Sequence, residues 1–232
     1  PVYVAKLNQT ITAGSYNLDD PTLQYTRGIP ALDYLLYGVG ANDADILAKY
    51  TTDTLATRRK QYLQDVTTWT LNKINTTVNA WLPSGSNYTQ TFINNTGIAT
   101  GTTISFIVNQ LSSNYEEVKH SNLGTPIGAK VSYVPSSNKA EAYYSGMSFE
   151  LMEASILATK ELFLGYANGV NGNGLDDFLG AVETDGAATL ATTIVSQFDA
   201  ALSRVASFKT TYSSWANCID TDMTNAKKLY AD

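Results

Sequence analysis

"LQDVTTWTLNKINTTVNAWLPSG" (residues 63–85) places Leu63, Val66, Thr70, Ile74, Val78 and Trp81 three or four residues apart. That spacing predicts one face of a helix rather than the alternation of a strand. The helix is expected from about Asp53 to Leu82, ending at Pro83-Ser84-Gly85. The same period recurs in four further segments. Ile104, Val108, Leu111, Tyr115 and Val118 mark the second, ending near Gly124. Phe149, Met152, Ile156, Phe163 and Tyr166 mark the third. Leu190, Ile194, Phe198, Leu202, Val205 and Phe208 mark the fourth. Trp215, Ile219, Met223, Ala226 and Tyr230 mark the fifth. Stripes this wide pack against neighbours, so the expected class is all-α, an antiparallel helical bundle. Residues 1–20 show no clear period and are expected to pack as an arm. "AKVSYVP" (129–135) is expected as a short extended piece.

Composition narrows the function. The chain has 232 residues, enough for one large or two small domains. Only 16% are charged, so Thr, Ser, Asn, Gln and Tyr supply much of the polar surface. The net charge is −6 and "TRRK" (57–60) is the densest basic patch, which argues against nucleic acid as a partner. There is one cysteine, Cys218, and one histidine, His120. An internal disulfide and a multi-histidine metal site are therefore excluded. No run of about 18 apolar residues is present, so no transmembrane segment is expected.

Several motifs have ordinary structural readings. Asn168, Asn171, Asn173, Asp176 and Asp177 lie in a glycine-rich loop without the alternating acids and closing Glu of a calcium loop. A helix C-cap followed by an Asp-capped short helix explains them. Glu116 and His120 stand at i, i+4, but a metal needs further ligands, and a solvated helix end explains the pair. The sequons at Asn8, Asn75, Asn87 and Asn94 reflect composition. Three long loops, 82–97, 124–146 and 165–178, are expected between helices.

The segment "RGIPALDYLLYG" (27–38) is more specific. Gly28 makes a turn, Pro30 is expected at the first helical position, and Asp33 sits within an apolar run. This segment resembles the imelysin-like family, whose signature is Gly-x-His-x-x-Glu followed by Tyr-Leu-Leu-x-Gly. Gly28, Tyr34-Leu35-Leu36 and Gly38 match, while Pro30 stands at the His position and Asp33 at the Glu position. "GTPIGAK" and "EAYYSGMSFELMEASILATKELFLGY" resemble the family's later segment.

The resemblance implies a two-bundle envelope protein, exported to the periplasm or held at the bacterial outer-membrane surface. Its precursor would carry a signal peptide or lipoprotein motif. The family includes an insulin-cleaving metallopeptidase of the M75 class and iron-regulated protein A. This chain reaches the signature by residue 28, so it is expected to be a fragment lacking N-terminal helices. Residues 1–100 would be the remainder of the first bundle and 101–232 the second. The missing N-terminal part would be one partner, and a ligand or envelope protein another.

Iron or zinc is implied at family level but disfavoured here, because proline has no ligand atom to offer. No catalytic or metal-binding residue is assigned. The resemblance places Arg27, Gly28, Pro30 and Asp33 near Tyr144 and Ser145 as a ligand-binding set. Asp33 would be held by the helix dipole and by Arg27. The alternative at those positions is that the groups only satisfy one another. The expected function is a non-catalytic, ligand- or partner-binding protein connected with iron uptake. The alternatives are a metallopeptidase and a purely structural bundle at the cell surface.

Overall fold

The apolar stripes lie on helices in a computed structural model that describes residues 1–130, 133–182 and 187–231. The described chain is all-α apart from one two-residue hairpin. It divides into two units, Pro1–Gly97 and Ile98–Asp232, each with its own core.

In the first unit the expected N-terminal arm is instead a helix, α1 (Val4–Ala13). Leu7, Thr10 and Ile11 form a short i, i+3, i+4 face and are buried. Gly14 ends α1 in the left-handed conformation, φ 72°, donating its N–H to the Thr10 carbonyl at 3.1 Å. A 3₁₀ turn, Pro21–Thr26, follows, capped by Asp20, whose carboxylate accepts from the Thr22 N–H at 2.8 Å. Then come α2 (Ile29–Asp33), a π-helical turn (Tyr34–Gly38), α3 (Asp43–Thr51), α4 (Ala56–Trp81) and α5 (Tyr88–Asn94). Leu7, Ile11, Leu35, Tyr62 and Val66 are the heart of this core. The stretch 82–97, expected as a loop, contains α5, because Tyr88 and Phe92 pack on Trp81 with ring centroids 4.9 and 5.3 Å away.

The turn into α4 is fastened by Asp53. Its carboxylate accepts from the Leu55 N–H at 2.9 Å and lies 3.1 Å from Lys49 Nζ and 3.4 Å from Arg59 Nη1. The backbone hydrogen bond, then Lys49, holds its pKa down to about 2. As pH falls below about 4, the unfolded chain takes up this proton first. The Asp53 contribution is therefore complete above about pH 4 and is lost towards pH 2. Thermal melts at about pH 5 and about pH 2.5 should show a smaller acid loss for Asp53→Asn than for the wild type.

In the second unit, α6 (Thr103–Glu116) runs directly into a π-helical segment, Glu117–Gly124. A 3₁₀ turn, Ser137–Lys139, precedes α7 (Ser148–Phe163). Tyr166–Ala167 and Val170–Asn171 pair as an antiparallel hairpin. They are followed by α8 (Leu175–Val182), α9 (Ala187–Thr211), α10 (Trp215–Thr221) and α11 (Met223–Ala231). The third stripe therefore ends before Tyr166, which belongs to the hairpin. The fifth is two helices, because Asp222 interrupts it and caps α11 through the Asn225 N–H at 3.0 Å. Asp177 Oδ2 accepts from the Gly174 N–H at 3.0 Å, so the acidic loop end serves α8 as a cap. Residues 131–132 of the expected extended piece lie outside the described residues, and the flanking described residues are turn and bend. The core gathers Phe149, Met152, Val205, Phe208, Trp215 and Ile219. Cys218 is buried among them, and burial, followed by the charge of Asp222, pushes its thiol up to about 12.

Candidate functional site

The signature segment of the first unit is held from below by α4. Tyr62, fully buried, donates its hydroxyl hydrogen to the Thr26 carbonyl at 2.8 Å and lies 3.1 Å from Thr26 Oγ1. Tyr16 packs edge-on against the Tyr62 ring at 4.9 Å and donates to Asp65 at 2.7 Å. The chain then turns at Gly28, with φ 77° and ψ −170°, a region essentially reserved for glycine. The Gly28 carbonyl accepts from the N–H groups of Ala31 and Leu32, both at 3.1 Å, and starts α2.

Ile29, not Pro30, is the first residue of α2. Pro30 takes the second position, where its missing N–H also costs nothing, since none of the first N–H groups has an intrahelical partner. Asp33 is consequently the last α-helical residue, one step further from the positive end than expected, and half-buried. The dipole falls off within the first turn, so it contributes less at Asp33 than the sequence implied. The chain widens into the π turn immediately afterwards. The Leu35 carbonyl inside that turn accepts from the Tyr50 hydroxyl at 2.5 Å, and Asn8 Nδ2 donates to the Tyr34 hydroxyl at 3.0 Å.

Arg27 does not serve Asp33. Its guanidinium lies 4.6 Å from the centre of the Trp69 ring and donates to the Asp20 carbonyl at 3.4 Å. Trp69 donates its indole N–H to Asp19 at 3.0 Å, and Lys73 joins Asp19 at 3.0 Å and the same ring at 5.1 Å. Arg27 thus belongs to a cation–aromatic stack on α4. Nothing at residues 27–38 spells out that stack, because its platform is 42 positions away.

Tyr144 and Ser145 lie in the turn before α7 of the second unit. Tyr144 meets Tyr143 edge-on at 5.1 Å, and Ser145 Oγ donates to the Ala142 carbonyl at 3.4 Å. Gly146, φ 75°, donates its N–H to the same carbonyl at 2.9 Å. Ser148 Oγ donates to the Glu141 carbonyl at 2.6 Å, securing the start of α7. The i, i+4 pair is formed: His120 Nε2 is 2.8 Å from Glu116, and Nδ1 is 3.2 Å from the Tyr230 hydroxyl. Both ring nitrogens are thereby occupied by protein groups.

The donor set does not fit a metal at the signature. Pro30 has no ligand atom, Asp33 is one carboxylate, and no group of three His, Cys, Asp or Glu among the described residues is placed to hold an ion.

A family model for imelysin, a peptidase of the M75 class, matches residues 5–231. The chain belongs to the imelysin family. A crystal structure of a Parabacteroides distasonis protein, provisionally named an iron-regulated protein A precursor, has the same fold with a TM-score of 0.72. The two are 18% identical over 100% of this chain and 69% of the other. No curated protein matches the sequence. Within this imelysin chain the segment 27–38 forms α2 and the π turn, with Pro30 exposed in the first turn of α2. No described helix is long and apolar enough to cross a membrane.

Proposed function

We propose that this imelysin-family chain is a non-catalytic binding protein of the bacterial envelope, exported and engaged in iron acquisition. Asp33 and Arg27 are proposed as contact groups on the first unit, and Tyr144 and Ser145 as contact groups on the second. One observation carries the reading: proline replaces the imidazole of the signature. A peptidase metal needs that nitrogen or a substitute for it. Pro30 supplies neither a ligand nor a base, while Asp33 keeps a carboxylate able to accept hydrogen bonds. The name of the Parabacteroides protein supports the connection with iron and with export.

The test separates binding from folding. In iron-limited cells lacking the gene, the wild-type copy should restore growth, and Asp33→Asn or Tyr144→Phe should not. The purified variants should melt within about 2 °C of the wild type, a shift too small to represent loss of a buried partner, which costs ~1–3 kcal/mol. Large drops in melting temperature would instead make these groups structural. Stoichiometric zinc or iron in the purified protein, lost in Asp33→Ala, together with cleavage of insulin, would restore the peptidase reading.

A further inference from the structure

Helices α6 and α9 both pack on α7, but among the described residues they scarcely touch each other. A cavity of about 560 Å³ fills the space between them. That volume lies within the 300–1,000 Å³ usual for small-molecule sites. Its floor is α7, through Met152 and Ile156, and its far wall is Phe198 and Val205 of α9. Tyr230 of α11 and the π-helical segment close one end. Every described lining residue belongs to the second unit.

The lining has a consistent charge. Lys119 and Arg204 both face the cavity, and no described Asp or Glu lines it. Lys119 Nζ lies 5.9 Å from the Tyr230 ring and enters no ion pair among the described residues. The Arg204 guanidinium stacks over Phe208 at 5.0 Å. With five N–H donors it can serve more than one acceptor. Glu116, beside Tyr115, is engaged with His120, and Asp199, between Phe198 and Ala200, with Lys160. Apolar walls with two basic residues in the lining favour a ligand of mixed character. An alkyl body is driven in by burial, and an anionic head answers Lys119 and Arg204 by charge-assisted hydrogen bonds.

We propose that the cavity between α6 and α9 binds an alkyl carboxylate, its chain against Met152, Ile156 and Phe198 and its head at Lys119 and Arg204. Cationic amphiphiles are excluded by the same charges, and neutral ones lose the head contacts. Calorimetric titration of the whole chain with decanoate, decanol and decyltrimethylammonium tests this. Decanoate should bind saturably at one site, decanol about tenfold more weakly, and the cation not at all. Lys119→Gln should weaken decanoate at least fivefold and leave decanol unchanged, which a general loss of structure would not do. Ala201→Phe, which projects a ring into the space, should abolish binding of both. A decanoate carrying a diazirine on its chain, photolysed on the wild type, gives an answer even if Ala201→Phe does not fold. The label should fall in 148–163 and 194–205. Equal binding of the three amphiphiles, indifference to Lys119→Gln, or label in residues 1–97 would overturn the proposal.

Discussion

Trp215→Ala should lower the stability of the second unit by about 3–5 kcal/mol, the usual cost of emptying a large aromatic site in a core. For a unit of this size the melting temperature should fall by roughly 10–20 °C. The expectation rests on where the indole sits. Trp215 opens α10 behind the Ser214 cap, which accepts from the Asn217 N–H at 3.1 Å, and it is fully buried. Its ring meets Phe149 at 6.3 Å and lies in the same cluster as Met152, Phe208, Cys218 and Ile219. α10 is one short helix held by these contacts, so little of the void can collapse without moving it. A second variant separates volume from polarity. The indole N–H of Trp215 is buried without a hydrogen-bond acceptor among the described residues. Trp215→Phe keeps most of the ring and removes that donor, whose burial unpaired costs energy. It should therefore cost much less than the alanine, about 1 kcal/mol. Thermal or urea unfolding of the two variants checks both values. Equal losses would mean that packing shape, rather than volume, dominates the site.

Periodicity was a good guide to helices and a poor one to what they touch. The stripe through Val66, Ile74 and Trp81 does lie on one long helix. Val66 is buried in the first-unit core, while Leu71, Ile74 and Val78 are about half exposed. A spacing rule reports that a face is apolar and not how far along the helix its partner extends. The N-terminal helix escaped because its face is one residue triplet, Leu7, Thr10 and Ile11, in a threonine-rich segment. The two π segments escaped for a different reason. An extra residue per turn at Tyr34–Gly38 and Glu117–Gly124 leaves composition untouched and changes only which side chains align. That shift carries the Tyr34 hydroxyl to Asn8 and the His120 ring to Tyr230.

The local geometry of segment 27–38 was half legible for the same reason. Gly28 is where a turn demands it, and Pro30 lies in the first turn of a helix, one position later than expected. The partner given to Asp33 was wrong, because Arg27 found a tryptophan on α4. The cavity of the second unit could not be read at all. Lys119, Ile156 and Arg204 come from three segments and are gathered only by packing on α7.

Tyr62→Phe should destabilise the first unit by ~1–3 kcal/mol, and it should do so through the signature loop. The phenol hydroxyl is the only side-chain donor reaching the Thr26 carbonyl among the described residues, and both residues are buried. Removing one oxygen leaves that carbonyl without its partner and without access to water. Thr26→Val removes the hydroxyl that also meets Tyr62, at 3.1 Å, and breaks its bond to the Leu23 carbonyl at 2.9 Å. Because the two substitutions strike one network, their costs should be less than additive, with a coupling of about 0.5–1 kcal/mol in a double-mutant cycle. The local consequence is sharper than the global one. Thr26 anchors the chain two residues before Gly28, whose carbonyl receives the Ala31 and Leu32 N–H groups. Loosening the anchor should speed hydrogen exchange at those two amides more than at amides in the middle of α4. Asp33→Asn should leave the same exchange rates unchanged, since both N–H groups go to the Gly28 carbonyl. If Tyr62→Phe leaves stability and both amides as they were, α4 does not position the signature helix, and Gly28 and Pro30 do so alone.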